Sequence, residues 1–163
     1  MADPQQLVER WLQDCVLGLE LCPFAAPVVR EQSLRIAVSE AAQAEQQLQD
    51  FLLELDRLQC ASEEEISTSL LVFAQGPADF EEFLDLVDQA QGLLEAAELE
   101  GIVQIAHFHP RYLFADEPVD GVTHYTNRSP LPIIHLLREA MLSRVLETFP
   151  HAEQIPQRNI ERL

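Results

Sequence analysis

The fold is indicated most clearly by residues 70–107, LLVFAQGPADFEEFLDLVDQAQGLLEAAELEGIVQIAH. The unbroken apolar run at 70–73 is typical of a central strand that is covered on both faces. Asp79, followed three residues later by a glutamate, resembles a capping box and predicts the start of a helix. Gly101 predicts the end of that helix, and residues 102–107 predict another strand. The stretch therefore predicts a strand–helix–strand unit.

The N-terminal third predicts two helices with a strand between them. Pro4 in a first turn and a regular apolar spacing predict a helix over about 4–19. Apolar residues at 34, 36 and 38 alternate with others, as in a half-buried strand. Ser39 is a suitable cap for a helix that reaches about Leu58.

The C-terminal third predicts a long loop and a further helix. Residues 111–128 lack a regular pattern, and such a long loop often has a function. A helix is predicted from about Ser129 to Phe149, and the tail is a candidate short helix. The order α-β-α-β-α-β-loop-α predicts an α/β fold, with helices packed on a small, mostly parallel sheet of 3–4 strands. The chain, residues 1–163, is expected to form a single domain.

The composition excludes several classes of protein. The three cysteines, Cys15, Cys22 and Cys60, are widely spaced and form no CxxC pair, which argues against a disulfide framework. The sequence shows neither a signal peptide nor an apolar run of membrane-spanning length. We therefore expect a soluble, cytoplasmic protein with reduced cysteines.

The charge narrows the choice of partners. A formal net charge of -18 disfavours binding to nucleic acid and to anionic membrane surfaces. A small anionic molecule is nevertheless a candidate partner, because histidines and arginines cluster in the last third of this otherwise acidic chain. All ten basic residues are arginines, so Schiff-base chemistry, pyridoxal phosphate attachment and the P-loop lysine are excluded. No cofactor is predicted.

The residues that can bind anions or transfer protons near neutral pH concentrate late in the sequence. All five histidines lie at position 107 or later. We therefore expect one polar site between His109 and Glu139, because ligands gather beyond the carboxyl ends of strands and the loop after the third strand begins there.

The segment Tyr125-Thr-Asn127-Arg128-Ser-Pro lies just ahead of the predicted last helix. The N-terminus of a helix attracts anions, the guanidinium of Arg128 can bind a carboxylate or phosphate with two hydrogen bonds, and Asn127 supplies a neutral donor and acceptor. The alternative is a helix cap in which Arg128 pairs with a neighbouring acid.

His135, Arg138 and Glu139 would share one face of that helix. In this arrangement Arg138 helps to bind the anion, while His135 or His109 transfers a proton with Glu139 as the orienting carboxylate. The alternative is a surface Arg–Glu pair beside a histidine that only packs.

A metal site is not predicted. His107 and His109 would point to one side of a strand, but two ligands do not hold a metal ion, and recruitment of Asp116, Glu117, His124 or Cys22 is not required by their spacing. Cys22 follows the carbonyl end of the first helix, which disfavours a thiolate, so it is expected to be a small buried residue unless a cation lies beside it.

Several blocks together resemble a bacterial family known as domain of unknown function 1415. The blocks are LGLELCPFA from Leu17, FHPRYLF from Phe108, YTNRSP from Tyr125, HLLRE from His135 and IPQRNI from Ile155. The family has no established activity, so the resemblance implies positions and not a reaction. The positions are Cys22, His109, Tyr125, Asn127, Arg128, His135, Arg138, Glu139, Arg158 and Asn159.

Together these patterns favour a small enzyme that acts on a phosphate- or carboxylate-bearing molecule by His/Glu acid–base chemistry, with arginines binding the anion. Tyr125 and Arg158 complete the expected ligand-binding set. One alternative is a non-catalytic ligand-sensing or interaction module, in which the same residues build a hydrogen-bonded structure. A weaker alternative is a metal-dependent hydrolase.

Overall fold

A computed structural model describes residues 2–19, 25–148 and 152–162. Its elements follow one another in this order: α1 (Pro4–Trp11), a π-helical turn (Leu12–Leu17), α2 (Ala25–Arg30), β1 (Leu34–Ser39), α3 (Ala44–Cys60), β2 (Thr68–Phe73), α4 (Phe80–Ala96), β3 (Val103–Phe108), a 3₁₀ helix (Val122–Asn127), β4 (Ile133–Arg138), α5 (Glu139–Thr148), a 3₁₀ turn (Ala152–Gln154) and α6 (Ile155–Arg162).

The four strands form one sheet in the order β1-β2-β4-β3. β1 and β2 are parallel, whereas β4 is antiparallel to both of its neighbours. The prediction of an α/β fold with 3–4 strands is therefore confirmed, but the prediction of a mostly parallel sheet is wrong. β1, β2 and β3 do run in one direction, and β4 separates β3 from the other two.

The error comes from the segment that was predicted to begin the last helix. Residues 133–138, Ile-Ile-His-Leu-Leu-Arg, form β4, and the helix begins only at Glu139. A short apolar run fits a central strand or a buried helix equally well, and the continued apolar spacing into Met141 and Val145 favoured the helix. Ile133, Ile134 and Leu136 are fully buried because β4 is covered on both faces.

The two faces of the sheet carry different layers. On one side, here called the α3/α4 face, Leu71 and Ile134 pack with Phe51 of α3 and Phe83 of α4. The other side, here called the α1 face, buries Leu70, Val72 and Ile133 against Val8, Leu12 and Val16. Burying each large side chain contributes about 1.5–3 kcal/mol, so both layers stabilise the sheet.

The starts and ends of helices are set by local chemistry. The Asp79 carboxylate accepts hydrogen bonds from the backbone N–H groups of Glu81 and Glu82, which confirms the predicted N-cap of α4. Ser39 does not cap α3 as predicted, because it ends β1 and its hydroxyl donates to Asp50 at 2.6 Å. Among the described helices, none has both the length and the apolar character needed to cross a bilayer.

Arg138 connects the end of β4 by hydrogen bonds to the segment that precedes β2. Its Nε donates to the carbonyl oxygen of Ile66, and its Nη2 lies within 3.1 Å of the carbonyl oxygens of Leu58, Ala61 and Ile66. Leu58 is in the last turns of α3, where helix carbonyls lack intrahelical partners. One guanidinium therefore joins three segments of backbone.

We expect Arg138→Ala to lower the free energy of unfolding by about 2–4 kcal/mol, because several carbonyls lose a charged donor at once. Arg138→Lys should lower the free energy of unfolding by less than Arg138→Ala, but one ammonium group cannot reach as many carbonyl oxygens as the guanidinium does. Denaturant unfolding measures both variants. The control is Arg144→Ala, which removes an exposed ion pair with Glu63 and should cost less than about 1 kcal/mol. Equal losses in Arg138→Ala and Arg144→Ala would contradict this role.

Candidate functional site

His109 lies directly after β3 and is fully buried. Its Nδ1 accepts a hydrogen bond from the backbone N–H of Arg111 at 3.0 Å, and its Nε2 donates to the carbonyl oxygen of Pro77 at 2.9 Å. Burial lowers the pKa of His109, although the bond to Pro77 opposes this effect. Both ring nitrogens are occupied by backbone, so these contacts do not favour the predicted proton transfer by His109.

The loop between β3 and β4 is held together from within. His124 is fully buried, accepts a hydrogen bond from the backbone N–H of Phe114 at 2.9 Å, and donates to the carbonyl oxygen of Pro118 at 2.6 Å. The Asn127 amide donates to the carbonyl oxygen of His107 at 3.0 Å. The predicted ligand-binding residue Asn127 therefore contributes to the shape of the loop.

Arg128 has a different environment from the other polar residues of this loop. Its guanidinium carbon lies 4.5 Å from the centre of the Tyr125 ring, and its Nε donates to the carbonyl oxygen of Tyr112 at 3.2 Å. No carboxylate among the described residues pairs with it. Arg128 is thus a cation held in place by a ring and a carbonyl. The argument from a helix N-terminus is wrong, however, because β4 follows this segment.

Arg138 and Glu139 lie at the opposite end of β4 from the loop that carries Arg128. The expectation that His135, Arg138 and Glu139 share one helical face is wrong, because residues 133–138 form a strand. Side chains alternate along a strand, so His135 points to the α1 face and Arg138 to the α3/α4 face. Glu139 begins α5, and its backbone N–H donates to the carbonyl oxygen of Ile102 at 3.0 Å.

The best-defined polar arrangement on the α1 face is His135 with Thr68. The Nε2 atom of His135 lies 2.6 Å from the Thr68 hydroxyl oxygen, which lies 2.7 Å from the carbonyl oxygen of Leu136. The hydroxyl has one hydrogen, and two acceptor oxygens at that distance repel unless the hydrogen lies between them. Thr68 therefore donates to Leu136 and accepts from Nε2 of His135.

This hydrogen bond fixes which nitrogen of His135 is available. Nε2 carries the hydrogen, and Nδ1 has no hydrogen-bond partner in the part of the chain that the structure describes. The side chain is only partly buried, between Leu70 and Ala106 of the neighbouring strands. Burial lowers the pKa of His135 to about 4, so the ring is neutral at pH 7. His135 thus presents a lone pair that can accept a proton.

The remaining predicted residues lie at or beyond the limits of the described chain. Arg158 lies in α6, next to the buried Asn159, and α6 packs against the 3₁₀ helix that carries Tyr125. Cys22 lies outside the described residues. Within residues 2–19, 25–148 and 152–162, no three His, Cys, Asp or Glu side chains are grouped closely enough to hold a metal ion.

The arrangement therefore separates residues that the sequence placed in one site. His109, Tyr125, Asn127 and Arg128 belong to the loop after β3, His135 lies on the sheet, and Arg138 with Glu139 lies at the far end. Sequence reasoning missed Thr68. Its position at the start of an apolar strand is the only local signal, and its partnership with His135 follows only once residues 133–138 are recognised as a strand.

The chain belongs to the family described as "Protein of unknown function (DUF1415)", whose match covers residues 3–163. This confirms the resemblance on nearly the whole sequence. No match was found among curated proteins or among solved structures.

The low pKa of His135 has a consequence for stability. The unfolded chain takes up a proton near the ordinary histidine pKa of 6.5, whereas folded His135 does so only near 4. Between these values the unfolded state binds more protons, so the stability that depends on neutral His135 is complete above pH 6.5 and is lost progressively as the pH falls from 6.5 to 4. We expect His135→Gln to reduce the loss of stability between pH 7 and pH 5 by about 2 kcal/mol.

Urea unfolding at both pH values measures this difference. His107 and His109, whose pKa values are also lowered by burial, remain in both proteins, so part of the pH dependence should persist. A pH dependence identical in wild type and variant would show that His135 titrates normally in the folded protein.

Proposed function

We propose that this protein is a small enzyme that acts on a molecule carrying a phosphate or carboxylate group, with His135 as the proton acceptor. The observation that carries the proposal is the hydrogen bond from His135 Nε2 to Thr68, which leaves Nδ1 as an unpaired base on a partly exposed sheet face. Thr68, in place of Glu139, is the residue that orients the imidazole.

A neutral imidazole of fixed tautomer is suited to general base catalysis. The proton of a substrate O–H, N–H or water would pass to Nδ1, while Nε2 donates to Thr68 throughout. Thr68 can remain in place because its hydroxyl continues to donate its own hydrogen to the Leu136 carbonyl oxygen. A pKa of about 4 makes His135 a weak base that is ready at neutral pH, so the substrate proton must itself be acidic or become so in the transition state.

Arg128 supports an anionic substrate. In this chain of net charge -18, three described arginines pair with a nearby acid, namely Arg35 and Arg57 with Glu54, and Arg144 with Glu63. Arg128 instead stacks on Tyr125, which orients the guanidinium without neutralising it. Arg128 precedes β4 by five residues, whereas His135 lies in the middle of β4 and Thr68 lies opposite Leu137 towards the other end. A substrate would have to extend along β4 to contact both Arg128 and His135.

The packing of α6 is the reason that Arg158 is included with Tyr125 in the proposed ligand-binding set. The last helix, α6, packs against the 3₁₀ helix Val122–Asn127, which is the element that carries Tyr125. Arg158 therefore stays in the proposed ligand-binding set. The contacts of Asn127 and Arg138 with backbone carbonyls favour positioning roles for those two residues.

A thermal-shift screen with phosphate, sulfate and small organic acids tests the anion site. An anion at one hundred times its Kd should stabilise the protein by about 2.7 kcal/mol, which raises Tm by about 5–10 °C. Arg128→Gln should abolish the rise. The matched control is Arg111→Gln, which removes an equal charge from an exposed arginine in the same loop. Absence of any anion effect, or equal losses in both variants, would refute the proposed site.

The alternative is a non-catalytic module that senses or binds an anionic ligand. The specific observation in its favour is that His109, Asn127 and Arg138 all use their polar atoms on backbone groups. His135→Gln separates the two functions. An enzyme should keep anion binding and lose turnover of the anion that stabilises it, whereas wild-type binding with no conversion of any stabilising ligand supports the module.

A further inference from the structure

Three rings follow one another across the α1 face of the sheet. The ring centroids of His135 and Phe108 lie 6.2 Å apart, and the two planes are inclined at 37°. The indole of Trp11, in α1, meets the ring of Phe108 edge to face, with 5.3 Å between the centroids. All three side chains are only partly buried. The rings therefore form a continuous and partly exposed aromatic surface, here called the three-ring surface, which begins at the proposed base.

Phe108 lies on the side of His135 that faces the start of β4. In the antiparallel pairing of β3 with β4, Phe108 is opposite Ile133, the first residue of β4, whereas Ala106 is opposite His135. Arg128 comes before Ile133 in the chain. A substrate that extends along β4 from Arg128 to His135 therefore passes beside the ring of Phe108.

The three-ring surface offers a ligand one hydrogen-bond acceptor and the faces of aromatic rings. Nδ1 of His135 has no hydrogen-bond partner among the described residues, so a ligand must bring a hydrogen to it. Aromatic rings attract one another in offset-stacked and edge-to-face arrangements, beyond the effect of the area that they bury. An O–H or N–H group on a conjugated ring is also more acidic than one on a saturated ring, because the ring delocalises the charge of the anion. Such a group suits a base as weak as His135.

We propose that the substrate carries a planar, conjugated ring, which packs against Phe108 next to Trp11 and donates an O–H or N–H hydrogen to Nδ1 of His135. This inference rests on the proposed function and adds the class of substrate, namely an aromatic or heteroaromatic molecule that also carries the phosphate or carboxylate. The O–H or N–H bond breaks, the proton passes to Nδ1, and the electron pair left behind is delocalised into the ring. Phe108 and Trp11 then determine specificity.

Three neutral probes test the ring and the hydrogen separately. Phenol has the ring and an acidic O–H, anisole has the ring without that hydrogen, and cyclohexanol has an O–H on a saturated ring. Nitrogen-15 NMR of the full chain follows Nδ1 of His135 and the indole N–H of Trp11, which is the only tryptophan. We expect phenol to shift both signals and to bind about three- to tenfold more tightly than cyclohexanol. Anisole should shift the indole signal alone.

Phe108→Leu removes the ring and keeps a large apolar side chain, so it should reduce the affinity for phenol to that for cyclohexanol. The matched control is Phe80→Leu, which removes a partly buried ring from the α3/α4 face and should leave the affinity for phenol unchanged. Equal affinities of the wild type for phenol and cyclohexanol, or equal losses of phenol binding in the two variants, would overturn the proposal.

The neutral probes need neither Arg128 nor turnover, so this inference and the proposed function can fail separately. Anion binding that depends on Arg128, without a preference for phenol over cyclohexanol, would keep the proposed enzyme and refute its aromatic substrate. Phenol binding as expected, without a response to any anion, would refute the anionic substrate and support the three-ring surface as a site for uncharged aromatic molecules.

Discussion

The proposed chemistry of this protein depends on one hydroxyl group that takes part in two hydrogen bonds. Thr68 must donate to the carbonyl oxygen of Leu136, and it can therefore only accept from His135. This constraint sets the tautomer of the imidazole and leaves Nδ1 without a hydrogen-bond partner among the described residues. The three residues come from adjacent strands, so the arrangement exists only because β4 lies antiparallel beside β2.

The insertion of β4 also explains which parts of the fold the sequence could predict. β1, β2, α3, α4 and β3 follow from local signals, such as the alternation at 34–38 and the cap at Asp79. β4 does not, because Ile133–Arg138 is a short apolar run without a period that distinguishes strand from helix. The strands that pair with β4 are about 30 and 65 residues away in the sequence. The segment forms a strand because it occupies the position between β2 and β3 in the sheet.

The histidines show why the site was harder to predict than the fold. His109, His124 and His135 are the same residue type in neighbouring segments, and the sequence analysis named His109 and His135 as candidates for proton transfer. Backbone groups of the loop bond both ring nitrogens of His109 and of His124. On the sheet, by contrast, Nδ1 of His135 has no hydrogen-bond partner among the described residues. Sequence reasoning named His135 as a candidate for proton transfer, but it expected Glu139 as its partner and did not identify Thr68.

The tautomer of His135 is the most direct test of this account. Long-range ¹H–¹⁵N NMR spectra distinguish a protonated Nε2 from a protonated Nδ1 in each histidine ring. The account predicts that His135 at pH 7 is neutral with its hydrogen on Nε2, and that it remains neutral when the solution is brought to pH 5. A hydrogen on Nδ1, or a doubly protonated ring at pH 6, would contradict it.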